Sequence, residues 1–521
     1  MNSETMPWDA RPSLQDFIRS HISADKPGVD EAGSTLPDDE RASRGSKIRW
    51  APGASDGVAT YHMGNAKDNP AIGTLLGLVR SYLKQPTVAN KERIYKFLTE
   101  VHVVSVIDSF IRALVEDKNL DSRRLYELAK SFATEAPDRE PVKFGIAILG
   151  LFRRAEDQEL FQALGRHDEF TLFCAVAIAN ASKDDGPLWT LARNVTGWGR
   201  IHCVQRLHMT ADPSIKNWLL REGFRNQVMY EYLAVICARA GGLLVALSED
   251  QIDAELRVAA GDLIEAMIVG GPAENIDGYE DARSVIGHYL RHLEHSADKI
   301  EDFLHVSAIS GFLNQEDSAW ETRFASGWSP DARDSLRTQC AAILGRPMWI
   351  QSVKAELNSD DETDFARASQ AAKILGLETW DIHWRRLEQK PHLPARWYHV
   401  MELCNDQRID QVLGLMEREF DLKALATGAS DELGLEPKYE QHSCLGNMLQ
   451  GLRRFPLKGM SIIDAGLKSP VISNRNAAIN AISELPREKW PADMHSLLNQ
   501  AMSVEPCEPV RQRLQELLRS A

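Results

Sequence analysis

The stretch from 197 to 226 reads GWGRIHCVQRLHMTADPSIKNWLLREGFRN, and it places His202, Cys203 and His208 within seven positions. That trio invites a reading as a metal or nucleophile site. Helical geometry argues otherwise. At about 100° per residue, His202 and His208 sit about 240° apart, and Cys203 and His208 about 140° apart, so the three cannot converge from one helix. Ile201, Val204 and Leu207 recur at threefold spacing and supply a core-facing stripe instead. Asp212-Pro213 then offers an acceptor for orphan amides followed by a ring that suits the first helical position. Ile215, Trp218 and Leu219 repeat at i, i+3, i+4, and Gly223 suits a left-handed helix end. The spacing predicts helix, turn, helix, stop.

The same unit recurs on both sides. REPVKFGIAILGLFRRAEDQELFQALGRHD from 139 and EFTLFCAVAIANASKDDGPLWTLARNVT from 169 each give an apolar helix, a polar break and a second, shorter apolar helix. The beat returns from 329, 361, 392, 439 and 471, with Ala341-Ala342 and Ala371-Ala372 at matching places, as are Trp349 and Trp380. Small residues at equivalent sites let helices approach while a ring fills the gap between layers. No period-2 alternation bounded by Asn-Gly or Asp-Gly is sustained anywhere, so strands are not expected. Residues 241–320 carry longer, less regular helices, and TGASDELGLEPKYE (427–440) interrupts the rhythm with a loop.

Two of these helices carry a resemblance. Pro470-Val471, Arg475, Ala477-Ala478 and Ile482 resemble the first helix of a HEAT-type (armadillo-like) repeat, as do Pro330, Arg333, Leu336, Ala341-Ala342 and Leu344. The pattern is an early proline, a basic residue, then spaced small and aliphatic residues. The resemblance covers most of 66–521. It implies an all-α chain, an α-solenoid of antiparallel helix pairs wound into a superhelix, with a concave face that holds partners. The region 66–521 is expected to be that solenoid, subdivided near 241–320 and 427–440. PVRQRLQELLRS supplies a more polar closing helix, as a terminal cap requires.

Residues 1–47 stand apart. Leu14, Phe17 and Ile18 share one face, the pattern of a short amphipathic helix. SADKPGVDEAGSTLPDDERASRGSK is nearly devoid of large apolar residues and reads as a disordered tether. Residues 48–65 carry Pro52-Gly53 and Asp56-Gly57 and read as an irregular cap, with a binding loop of Trp50, Asp56 and His62 as the sharper alternative.

The formal net charge of −15 argues against nucleic acid or anionic membrane as the partner and favours a basic one. The seven cysteines form no C-x-x-C pair and fall mostly in apolar helical patterns, as buried thiols of a reducing, cytoplasmic compartment do. The early acids of the first residues lack an apolar leader pattern, and no run reaches the ~18 uninterrupted apolar residues of a spanning helix.

Candidate chemistry is sparse, and no cofactor is expected. His288 and His292 stand at i, i+4, a spacing helical zinc sites use, but Tyr-Leu-Arg replaces the interior of H-E-x-x-H. SDDETD (359–364) lacks the glycine turn of a calcium loop and suits the start of a helix. Phosphate-loop and dinucleotide motifs do not occur. Trp380, Trp384, Arg385, Arg386 and Trp397 form the best partner-binding candidate, against packing between layers as the plainer reading. The expected function is a non-catalytic, protein-binding solenoid: a scaffold, an assembly factor or a neutraliser of a basic toxin. The alternatives are a HEAT-like base-excision enzyme, which the resemblance admits through a carboxylate and tryptophans, and a metal-dependent enzyme using His288 and His292.

Overall fold

The computed structural model describes residues 8, 10–23, 25–44, 49–62, 69–117 and 120–519, with His62 described by its backbone only. Among the described residues the chain is all-α, with two isolated bridges and no strand. Its helices pack against their neighbours along the chain, the arrangement of an α-solenoid. It divides into two compact units, residues 1–346 and 347–521.

In the first unit, Arg139–Phe152 packs against Ser122–Glu135 on one side and Asp168–Ala181 on the other, and Asp168–Ala181 packs against Trp198–Arg206. Backbone proximity explains two glycines inside these apolar helices. A Cβ at Gly145 would lie 2.6 Å from the Ala129 carbonyl oxygen, and one at Gly150 would lie 2.9 Å from the Ala177 Cβ. Farther along, Ala254–Val269, Ile300–Leu313 and Pro330–Leu344 pack in succession. The long helices expected over 241–320 are Ala254–Val269, Ala282–Ser296 and Ile300–Leu313.

The opening hairpin forms as its spacing predicts. Trp198–Arg206 buries Ile201 and Val204, and Leu207 is buried just beyond it. Asp212 caps Pro213–Trp218, its Oδ1 accepting from the Ser214 and Ile215 amides at 2.7 and 3.2 Å. The helix then widens into a π-turn, Leu219–Gly223. Gly223 is corrected in one respect: it is absent from the left-handed residues. Space is what requires glycine there, because a Cβ would fall 2.9 Å from Leu219 Cδ2 and 3.2 Å from the Trp218 ring.

The N-terminal segment departs from expectation in its described part. The amphipathic helix is Leu14–His21, with Leu14 and Ile18 buried. Residues 25–44, read as tether, lie against the helices that follow. Gly28 N–H donates to Asn194 O at 2.7 Å, the His167 ring meets Ser34 O at 3.2 Å, and Arg139 forks onto Asp38 and Asp39 at 3.0 Å. Order here comes from backbone hydrogen bonds and ion pairs, which a count of apolar residues does not register. The irregular cap over 48–65 is also corrected. It contains the helix Ala54–His62, while residues 48 and 63–65 lie outside the described residues.

In the second unit, Pro394–Leu403, Glu440–Leu452, Ile472–Ser483 and Glu508–Arg519 pack in turn. The loop 427–440 is pinned to the turn that leads into Ile472–Ser483: Gly428 N–H donates to Lys468 O, and Ile472 N–H to Glu432 O, both at 2.9 Å.

Candidate binding sites

The deepest charge cluster joins the N-terminal segment to two helices. Lys143 lies within REPVKFGIAILGLF and is only 1% exposed. Its Nζ is 2.7 Å from Asp56, 2.7 Å from Glu169 and 3.1 Å from Glu140. Glu169 also accepts from the Gly53 amide at 3.0 Å. Burial works against charge on Glu169, but Lys143 and Arg139 outweigh it and draw the carboxyl down to about 2. Burial dominates at Asp56, whose carboxyl is pushed up to about 6 against the pull of Lys143. Above this cluster lies a cleft of about 360 Å³, and Trp50 stands at its edge, 51% exposed. The expected loop of Trp50, Asp56 and His62 is therefore divided. Asp56 faces the interior as an ion-pair partner, Trp50 faces solvent, and the His62 side chain lies outside the described residues. The cluster acts as a clasp that fastens residues 38 and 53–56 to the helices starting at 139 and 168.

His202, Cys203 and His208 do not converge. His202 and Cys203 are buried, and His208 is exposed with its ring nitrogen on Gln205 O at 2.8 Å. Burial pushes the Cys203 thiol up to about 12 and holds the His202 imidazole down at about 3. His202 lies among the Tyr61 and Trp198 rings, and among the described residues neither of its nitrogens has a hydrogen-bond partner.

The Trp380 group is largely interior. Trp380 stacks on Trp384 with ring centroids 5.7 Å apart and planes at 11°, and the Arg408 guanidinium covers Trp380 at 4.6 Å. Trp397 is fully buried, donating its indole N–H to Pro391 O at 2.6 Å. Arg386 covers Phe365 at 3.8 Å and pairs with Glu362 at 2.9 Å, which leaves Arg385 as the exposed member. Apart from Arg385, these residues pack between layers. Elsewhere His292 spends a ring nitrogen on Leu247 O at 3.0 Å. Among the described residues no three potential metal ligands group together. Asp361, from the acidic run, caps the helix Glu362–Ile374.

A wider groove, of about 790 Å³, lies along the opening hairpin. Trp189 and Trp218 line it as half-buried rings 6.4 Å apart with their planes at 65°. Arg193, exposed, lies 5.2 Å over Trp189, and Arg200, buried, lies 5.5 Å over Trp218. Arg221, in the π-turn, is gripped by Asp253 at 2.6 Å and Glu255 at 3.3 Å. Nothing in the spacing marked this groove, because its residues come from four helices and the π-turn. Its one sequence signal is Arg200, which stands near the start of its helix as Arg333 and Arg475 do in theirs.

Those three arginines perform one local task with different endings. Arg333 donates to Leu313 O and Gln315 O, both at 2.8 Å, and pairs with Asp317 at 2.9 Å. Arg475 donates to Ser469 O and Pro470 O and pairs with Glu505 at 2.7 Å. Arg200 donates to Val195 O, Glu222 O and Arg225 O at 2.8–3.2 Å, yet among the described residues no carboxylate stands within ion-pairing distance of it. In comparisons with known proteins, no protein-family model and no curated protein matches the chain. The class rests on the fold: an all-helical chain compatible with a helical repeat architecture.

Proposed function

We propose that the chain is a HEAT-like, non-catalytic solenoid that binds another protein, as a scaffold or assembly factor. The observation that carries this reading is the open groove of Trp189, Trp218, Arg193 and Arg200, since tryptophan and arginine are the residues through which protein interfaces gain most of their energy. The groups with the strongest chemical character support it from the other side. Lys143 is enclosed by its own carboxylates, and burial raises the thiols of Cys174 and Cys203 far above the range of a reactive nucleophile.

All seven cysteines are free thiols and six are buried, which supports a reducing, cytoplasmic setting. No described helix is long and apolar enough to cross a membrane. The net charge of −15 favours a partner that is basic over much of its surface. Affinity purification of the intact chain from its native cell tests the proposal: a single protein at stoichiometric yield is expected, and reproducible elution alone would sink it.

A further inference from the structure

The groove's charges are not uniform, and their arrangement narrows what it can hold. Arg193 and Arg200 flank the two indoles, and among the described residues neither pairs with a carboxylate. Arg200 is 7% exposed, so its charge is removed from bulk water; carbonyl oxygens accept its hydrogen bonds, and Glu222 and Asp168 act on it from beyond ion-pairing distance. The same arginine in two other layers has Asp317 or Glu505 as its counter-charge, whereas Arg200 ends on carbonyl oxygens, as Arg206 and Arg346 do. At Arg221 the imbalance is reversed. One guanidinium serves two carboxylates, Asp253 and Glu255, whose side chains are 59% and 66% exposed. A polyanion would meet these carboxylates as repulsion, which counts against a nucleic-acid strand. A chain carrying both signs would find each answered.

Resting on the protein-binding reading above, we infer that the groove seats a short peptide segment of the partner. An acidic side chain of that segment lies on Arg193 and Arg200, and a basic one lies beside Asp253 and Glu255. The apolar residue between them packs on Trp189 and Trp218. The carboxylate takes the place that Asp317 and Glu505 hold in the other layers, so the partner completes a pattern the chain completes for itself elsewhere.

Selection of a random peptide library on phage against the intact chain tests this whatever the identity of the partner. The expected product is a family of sequences with Asp or Glu close to Lys or Arg. The best of them, fluorescently labelled, should lose about tenfold or more in affinity for an Arg193→Glu variant. Arg193 is exposed, so that variant should keep the parent melting temperature. Affinity should return when the peptide's acid is replaced by lysine. Trp189→Phe, a milder change, should weaken binding by a few-fold.

No enrichment, enrichment without an acidic residue, or indifference to Arg193→Glu would each overturn the inference. So would displacement of the peptide by AMP, which would assign the groove to a nucleotide. A co-purified protein whose affinity ignores Arg193→Glu would leave the protein-binding function standing and remove only this site. Peptide binding at the groove with no protein co-purifying would do the reverse.

Discussion

The layer around Arg475 and the hairpin around Arg200 use the same residue near the start of a helix, and they differ in what faces its charge. Arg475 and Glu505 are each 1% exposed and close on one another through two hydrogen bonds at 2.7 and 2.8 Å. Arg200 stops at carbonyl oxygens and borders an open groove. The lesson is that one layer can be held together by its arginine while another holds the same group ready for something outside. Closed ion pairs serve the fold, and a cation hydrogen-bonded only to carbonyl oxygens beside an open groove leaves room for a ligand.

Substitutions should separate these roles, and the largest effect belongs to the clasp. Lys143→Met leaves Asp56, Glu140 and Glu169 facing one another without a buried cation. It should destabilise the first unit by at least the about 3–5 kcal/mol expected for breaking a buried pair, read by urea unfolding. Arg475→Ala, which strands Glu505, should cost about 3–5 kcal/mol. Arg200→Ala strands no carboxylate and should cost about 1–3 kcal/mol, the scale of lost hydrogen bonds. Equal losses from these two variants would break the comparison.

A pH series sharpens the same distinction between satisfied and unsatisfied groups. His202 is held neutral, with its imidazole down at about 3 because of burial. Its folded value lies below the unfolded one, so the unfolded state takes up the proton first as pH falls. Stability should therefore decline from about pH 6.5 downward, by up to about 1.4 kcal/mol per pH unit from this residue. His202→Phe should remove that part of the acid loss and raise stability at neutral pH by about 1–2 kcal/mol, since two unpartnered buried nitrogens disappear. An unchanged acid slope in thermal melts would show that His202 is solvated. The smallest effect is local: Asp212→Ala removes the cap of the hairpin's second helix and should cost about 1 kcal/mol.

Much of the architecture was legible along the chain. Threefold and fourfold apolar spacing locates the helices starting near 139, 169, 198, 330, 362, 394, 440 and 472, because each must bury one flank against its neighbour. Asp212-Pro213 and Asp361 mark helix starts correctly, since capping is decided within three residues. The tryptophans were legible as ring-sized filling, but not as to which of them faces water. Trp397 is interior, while Trp189 and Trp218 reach a groove, and nothing in their local spacing distinguishes them. The order of residues 25–44 was hidden for a related reason, because its partners Arg139, His167 and Asn194 stand more than a hundred positions away.

By itself the sequence determined an all-helical chain of recurring hairpins, because helical periodicity and capping are short-range and each unit states them again. Tertiary structure alone decided that Lys143 would be enclosed by three carboxylates and that, among the described residues, Arg200 would form no ion pair. Coulomb energy depends on distance in space and on exclusion of water, and neither is set until distant segments have packed.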